Sequence, residues 1–239
     1  MLLIDSGTKA DQTIDYLLSR EVTPVFFDSS KWMQMNLQVS RYVRYGEILR
    51  ASEVEYDRVL LTDVCDVVFQ GHPFQDAPEG RILCFQEDGS TTIGQSMANC
   101  VWIDHIFGAA GVAIMKNRPI SCSGTTIGTH EGILQYIDRM MFHATPEKMA
   151  KIAQYRGHDQ GIHNYMLGTG QLPGAVLLPN GNHVYTVAKV PDQNIRVASG
   201  GIVLTVDQKR CPIVHQYTYK PVLKTHVEAA YPFSQIANK

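Results

Sequence analysis

Two carboxylates, Asp63 and Asp66, follow the apolar run Val59-Leu60-Leu61 and stand just ahead of a second run, Val67-Val68-Phe69. A pair of oxygen ligands on one side of a hard cation, with the other positions left to water and phosphate, is a common way to hold Mg²⁺ or Mn²⁺ in phosphate chemistry. Side chains three apart in an extended strand point to opposite faces, so the two acids meet only if the chain turns between them. A plainer reading also fits: Asp63 closes a strand and Asp66 caps a turn.

The elements that must position these acids follow an alternating pattern. Leu2–Asp5, Val22–Phe27, Arg58–Asp63 and Arg81–Phe85 read as strands, the third as one buried on both faces. Thr8 with Asp11 resembles a capping box for a helix with Ile14, Leu17 and Leu18 on its apolar face, and Leu37–Leu49 forms a second helix with Tyr42, Tyr45 and Leu49 aligned. Thr129 opens a helix carrying Ile133, Ile137, Met140 and Met141; Thr145-Pro146 opens the next, and Asp159 caps a third that ends at Gly168. Strands at Ala175–Leu178, Val184–Val187, Ile202–Val206 and Pro212–Tyr217 follow. Strand–helix alternation of this kind predicts an α/β fold with a mainly parallel central sheet flanked by helices, and residues 1–239 read as a single domain.

Composition narrows the partners. The 239 residues carry 21 Lys and Arg against 23 Asp and Glu, and no basic run, so neither a nucleic-acid partner nor a polybasic membrane surface is expected. The longest apolar stretch, around Gly108–Met115, is far short of the ~20 residues of a membrane span, so no transmembrane segment is expected. Met1 opens directly into Leu2-Leu3-Ile4 with no leader pattern, and the five cysteines are scattered. A reducing, cytoplasmic setting with free thiols is the expectation.

The segment Tyr56–Gln70, with Thr62-Asp63-Val64-Cys65-Asp66-Val67-Val68-Phe69 at its centre, resembles the metal-binding region of GT-A glycosyltransferases. Other segments fall in the order of the glycogenin and galactinol synthase group. Arg41 sits in Arg41-Tyr42-Val43-Arg44-Tyr45, and Ser121–Thr129 resembles a small-residue turn, bearing Ser123 and Gly124, that lets the backbone approach the donor sugar. Asp159-Gln160-Gly161-Ile162-His163-Asn164 is similar to the group's Asp-Gln-Gly-x-x-Asn motif, and Ile213-Val214-His215 stands where a late strand presents a metal-ligating His, with Lys220 behind it. The resemblance implies a GT-A fold whose first βα unit is missing or divergent here. It implies Asp63, Asp66 and His215 as ligands of Mn²⁺ or Mg²⁺, and Arg41, Asp63, Ser123, Gly124 and Lys220 as donor contacts. Asp159 and Gln160 would lie at the reacting centre. The activity implied is transfer of a sugar from a UDP- or GDP-sugar to a glycan or other hydroxyl acceptor, retention being favoured over inversion.

Each of these residues also has an ordinary structural explanation. Asp159 suits a helix N-cap, and Arg41 and Arg44 suit the solvated face of an amphipathic helix. Glu87-Asp88, near Asn99 and Trp102, is compatible with an acceptor groove but reads more simply as an acidic loop. A strand ending in two acids also suits the aspartyl nucleophile of haloacid-dehalogenase-like phosphatases, whose acids stand two apart rather than three. A non-catalytic carbohydrate-binding or scaffold protein on the same fold is the remaining alternative.

Overall fold

The computed structural model describes residues 1–5, 11–28, 37–152 and 154–230. A short parallel pair, β1 (Leu2–Asp5) and β2 (Pro24–Phe27), is joined through α1 (Asp11–Ser19). The capping box expected at Thr8 lies outside the described residues. Ile14 and Leu17 are half-buried, whereas Leu18 is exposed.

The central sheet has the order β3 (Val59–Thr62), β6 (Ser121–Gly128), β5 (Ile82–Gln86), β7 (Ala175–Leu178). β6 runs antiparallel to both β3 and β5, and only β5 and β7 are parallel, so this sheet is mixed rather than mainly parallel. The cause is β6 itself. Its sequence, Ser121-Cys122-Ser123-Gly124-Thr125-Thr126-Ile127-Gly128, has the small polar residues of a turn, yet all eight positions are buried. A strand covered on both faces need not alternate apolar with polar, and this one is built of small residues that allow close approach from each side.

One face of the sheet meets helices. Leu61, Ile82 and Cys84 pack with Val39, Tyr42 and Leu49 of α2 (Leu37–Ala51), with Ile133, Tyr136 and Met140 of α4 (His130–His143), and with Ile162 and Met166 of α6 (His158–Gly168). The other face meets a second sheet, ordered β4 (Val67–Phe69), β11 (Ile213–His215), β8 (Val184–Thr186), through Leu83, Phe85, Ile127, Val184 and Ile213. The central sheet is therefore flanked by helices on one side and by strands on the other. Period-two alternation explains the division: Ile82 and Cys84 face the helices while Leu83 and Phe85 face the strands. Each fully buried Ile, Leu or Phe here contributes on the order of 1.5–3 kcal/mol.

Helix starts follow the local chemistry. Thr129 Oγ1 accepts from the Gly132 N–H at 3.0 Å to cap α4, and Pro146 opens α5 (Pro146–Ile152) one residue after Thr145. The cap of α6 is Gly157, in the left-handed region at φ 90°, and not Asp159. A Cβ at Gly157 would lie 2.1 Å from the Trp102 ring, and one at Gly161 would lie 2.9 Å from the Trp102 backbone. Both glycines thus let α6 press against α3 (Met97–Met115).

At 19 residues, α3 is long and apolar enough, by length and composition only, to cross a membrane. The expected short apolar stretch at Gly108–Met115 is only its second half. Asn99, Asp104 and His105 interrupt the run in sequence but not the helix, which is broken instead at Gly108, where φ 69° and ψ −178° are not helical. Ile103 and Met115 pack with Ile93 and Ile120, and the helix lies on α6. The chain continues through the antiparallel pair β9 (Arg196–Ala198) and β10 (Ile202–Leu204) to α7 (Pro221–Ala230).

Candidate metal centre

The Asp63–Asp66 spacing is the width of a turn between two sheets. β3 ends at Thr62, and the Asp63 N–H donates to the Gly124 carbonyl of β6 at 2.9 Å. The chain then turns through Val64 and Cys65 into β4, whose partner β11 sets Val67 opposite His215. The Gln216 N–H donates to the Asp66 carbonyl at 2.7 Å. One acid is therefore held by the central sheet and the other by the second sheet, with His215 between them.

His215 is wholly buried. Its Nε2 lies 3.5 Å from Asp63 Oδ2 and 3.7 Å from Asp66 Oδ1, and it has no hydrogen-bond partner among the described residues. The three ligand atoms lie within 4.8 Å of one another. Two ligands bonded at about 2.1 Å to an octahedral cation lie roughly 3.0–4.2 Å apart, so the His–carboxylate separations match a divalent ion. An orphaned buried nitrogen facing two carboxylates is a costly arrangement that a cation satisfies. Gly124 makes room for it: a Cβ there would sit 2.4 Å from His215 Cε1 and 2.5 Å from Asp63 Oδ2.

Arg41 closes the opposite side. From α2 it donates Nη1 to Asp63 Oδ1 at 2.5 Å and Nη2 to Asp159 Oδ2 at 2.9 Å, bridging the metal acid to the start of α6. Arg41 is thus half-buried within the site, while Arg44 pairs with Glu47 on the surface. The Ser123 hydroxyl also donates to Asp159 Oδ2, at 3.2 Å.

The next residue faces other partners. Gln160 Nε2 donates to Glu87 Oε1 at 2.9 Å and to Asn99 Oδ1 at 3.3 Å. Asn164, one turn further along α6, clamps Ser121 of β6 through its backbone N–H and carbonyl, at 2.8 Å each. Every polar residue of the Asp159–Asn164 motif except His163 therefore spans from α6 to the walls of the site. His163 lies behind, joining Tyr136 Oη and Ser121 Oγ at 2.8 Å each.

The electrostatics follow burial and partners. Burial pushes the Asp63 carboxyl up, but His215 and Arg41 outweigh it and hold its pKa at about 2. Burial raises Asp66 and Asp159, the nearby Asp63 charge adding to both, against the pull of His215 on the former and Arg41 on the latter. Burial lowers His215, yet Cys122 and the two carboxylates outweigh it and lift it to about 10. A cation bound through Nε2 must displace that proton, so cation affinity rises with pH.

The structure thus gathers Arg41, Asp63, Asp66, Ser123, Gly124, Asp159 and His215, with Gln160 adjoining. Lys220 is elsewhere engaged: the turn Tyr217–Tyr219 carries it to Asp192, where Nζ donates to Oδ1 at 2.8 Å. Glu87 is no solvated loop acid but a buried one, raised by burial against its bond from Gln160. Its place at the end of β5, after Ile82–Gln86, was the available signal. Asp88 stays in the loop, bonded to Ser90.

No protein-family model matches the chain, and no curated protein matches it in sequence. Among solved structures, the apo form of mouse xyloside xylosyltransferase 1 is similar to it with a TM-score of 0.45 and 14% identity, over 90% of this chain and 83% of that one.

Proposed function

We propose that this chain is a divalent-cation-dependent glycosyltransferase of GT-A type, transferring a sugar from a UDP- or GDP-sugar to a hydroxyl acceptor. The observation that carries the reading is the convergence of Asp63, Asp66 and the unpartnered His215 Nε2 at the seam of two sheets, in the sequence context that resembles the GT-A metal motif. Asp63, Asp66 and His215 would hold Mn²⁺ or Mg²⁺, which supplies Lewis-acid stabilisation to a departing diphosphate.

The chain's own residues do the rest. Arg41 holds the half-buried Asp63 in place and offsets the charge of the buried Asp159, so that the two acids coexist beside a cation site. Gly124 keeps the β6 backbone low, leaving space where a side chain would intrude. Asp159 and Ser123 on one side, and Gln160, Glu87 and Asn99 on the other, line polar walls suited to sugar hydroxyls. In the transfer the C1–O bond to the diphosphate breaks, the acceptor oxygen bonds to C1, and the acceptor proton passes to the departing diphosphate. Retention is the outcome that the family resemblance implies.

The acids of a haloacid-dehalogenase-like phosphatase stand two apart, whereas Asp63 and Asp66 stand three apart and Asp63 gives one oxygen to Arg41. The test is release of nucleoside diphosphate from UDP-glucose, UDP-galactose, UDP-xylose and GDP-mannose with Mn²⁺, with and without simple sugar acceptors. Cation-dependent release that disappears in Asp66→Ala supports the reading. Hydrolysis of p-nitrophenyl phosphate without release from any sugar nucleotide contradicts it.

A further inference from the structure

We propose that Cys122 is a positioning residue that fixes the ring of His215, with the Gln216 side chain as its second support; the inference rests on the cation-site reading above. The two nitrogens of the buried His215 ring face different surroundings. Nε2 looks toward Asp63 and Asp66, and Nδ1 lies 3.5 Å from Cys122 Sγ. A neutral imidazole carries one proton, and a ring that ligates through Nε2 must carry it on Nδ1. That N–H needs an acceptor, and the sulfur of Cys122 is the polar atom the fold brings to it.

A second donor marks the sulfur as an acceptor. Gln216 Nε2 donates to the same Sγ at 3.8 Å. Gln216 holds φ 62°, a left-handed conformation rare for a residue with a side chain unless its surroundings enforce it. Its N–H is tied to the Asp66 carbonyl, so the residue after His215 is fixed at backbone and side chain together. Cys122 and Gly124 stand two apart on β6 and thus share a face. One strand face carries both the sulfur that orients the ring and the space that admits it. A metal-bound His usually donates to a carboxylate, carbonyl or water, and here a thiol buried to 1% exposure takes that place.

The test titrates Mn²⁺ into the full chain and reads the free ion by electron paramagnetic resonance, in wild type, Cys122→Ala, Cys122→Ser and Asp66→Ala. Cys122→Ala is expected to weaken Mn²⁺ about 10–100-fold, and Cys122→Ser, which keeps an acceptor, to recover most of the loss. In the Mg²⁺-loaded wild type, long-range ¹H–¹⁵N spectra are expected to place the His215 proton on Nδ1, a readout that needs no variant. Mn²⁺ affinity of Cys122→Ala within about twofold of wild type, against the loss expected of an outer-shell partner, overturns the proposal. A proton on Nε2 in the Mg²⁺-loaded protein shows that this nitrogen is no ligand, which contradicts the cation site and overturns the Cys122 role with it. Failure of wild type to bind Mn²⁺, or binding by Asp66→Ala equal to wild type, contradicts the cation site itself and is thereby distinct from failure of the Cys122 role alone.

Discussion

Replacing Gly124 with Ala adds one carbon atom at the position where the two sheets meet. The Cβ would lie 2.4 Å from His215 Cε1, 2.5 Å from Asp63 Oδ2 and 2.7 Å from His215 Nε2, against ordinary contacts of 3.4–4 Å. The ring and the carboxylate must each retreat by about 1 Å, whereas metal–ligand distances tolerate only about 0.2 Å. Gly124 is not among the residues of positive φ, so Ala adopts its backbone conformation and the whole cost is steric. Overpacking of this kind costs about 1–3 kcal/mol. In a chain of this size that lowers Tm by roughly 2–4 °C per kcal/mol. Loss of an outer-shell contact weakens a metal about 10–100-fold, so displacing two of three ligands should exceed the upper end of that range. Manganese titration with thermal unfolding of the metal-free protein separates the two effects. Gly71→Ala is the control, since its Cβ meets nothing closer than 3.7 Å. A folded Gly124→Ala protein that binds Mn²⁺ within about threefold of wild type, well inside even a second-shell loss, would refute the placement of the site.

Arg41→Met leaves Asp159 buried without its partner, an uncompensated charge that costs about 3–5 kcal/mol. Adding Asp159→Asn should return a large part of that, and strictly additive effects in urea unfolding would contradict the coupling. Burial lowers the pKa of His163 from 6.5 to about 4, so above pH 6.5 it is neutral in both states and has no effect on stability. Between pH 6.5 and 4 the unfolded chain takes up a proton that the folded one refuses, and stability falls by about 3 kcal/mol over that window. Burial and the neighbouring His105 lower His158 to about 4 as well, so urea unfolding from pH 7 to pH 4 should show both slopes together, and His163→Gln should remove its own share, about 3 kcal/mol; a slope unchanged in the variant would sink the assignment.

The pair Asp63 and Asp66 was legible because two acids ending an apolar run are conspicuous, and the need for a turn between them followed from strand geometry. Their convergence on His215 has no local signature, since it depends on β4 and β11 pairing across most of the chain. β6 was hidden because burial on both faces erases alternation and selects the Ser, Thr and Gly of a turn. The length of α3 was obscured by Asn99, Asp104 and His105, which interrupt the apolar run without breaking the helix. Lys220 shows the limit of reading proximity along the chain. Nearness to His215 in sequence suggested a shared site, but one tight turn directs its ammonium to Asp192. Glu87 looked like loop charge beside Asp88; its place directly after β5 was the one hint in the sequence, and its bond to α6 distinguishes the buried acid from its exposed neighbour.

The central claim, a cation-dependent nucleoside-diphosphate site built on Asp63, Asp66 and His215, is tested most directly by thermal unfolding with Mn²⁺ plus UDP or GDP, in wild type and Asp66→Ala. Ligand at about 100 times Kd stabilises the folded chain by roughly 2.7 kcal/mol. At this size that corresponds to a shift on the order of 5–10 °C. The account predicts such a shift in wild type, present only with the cation and lost in Asp66→Ala. No shift with either nucleotide in the presence of Mn²⁺, or an equal shift in the variant, would contradict it.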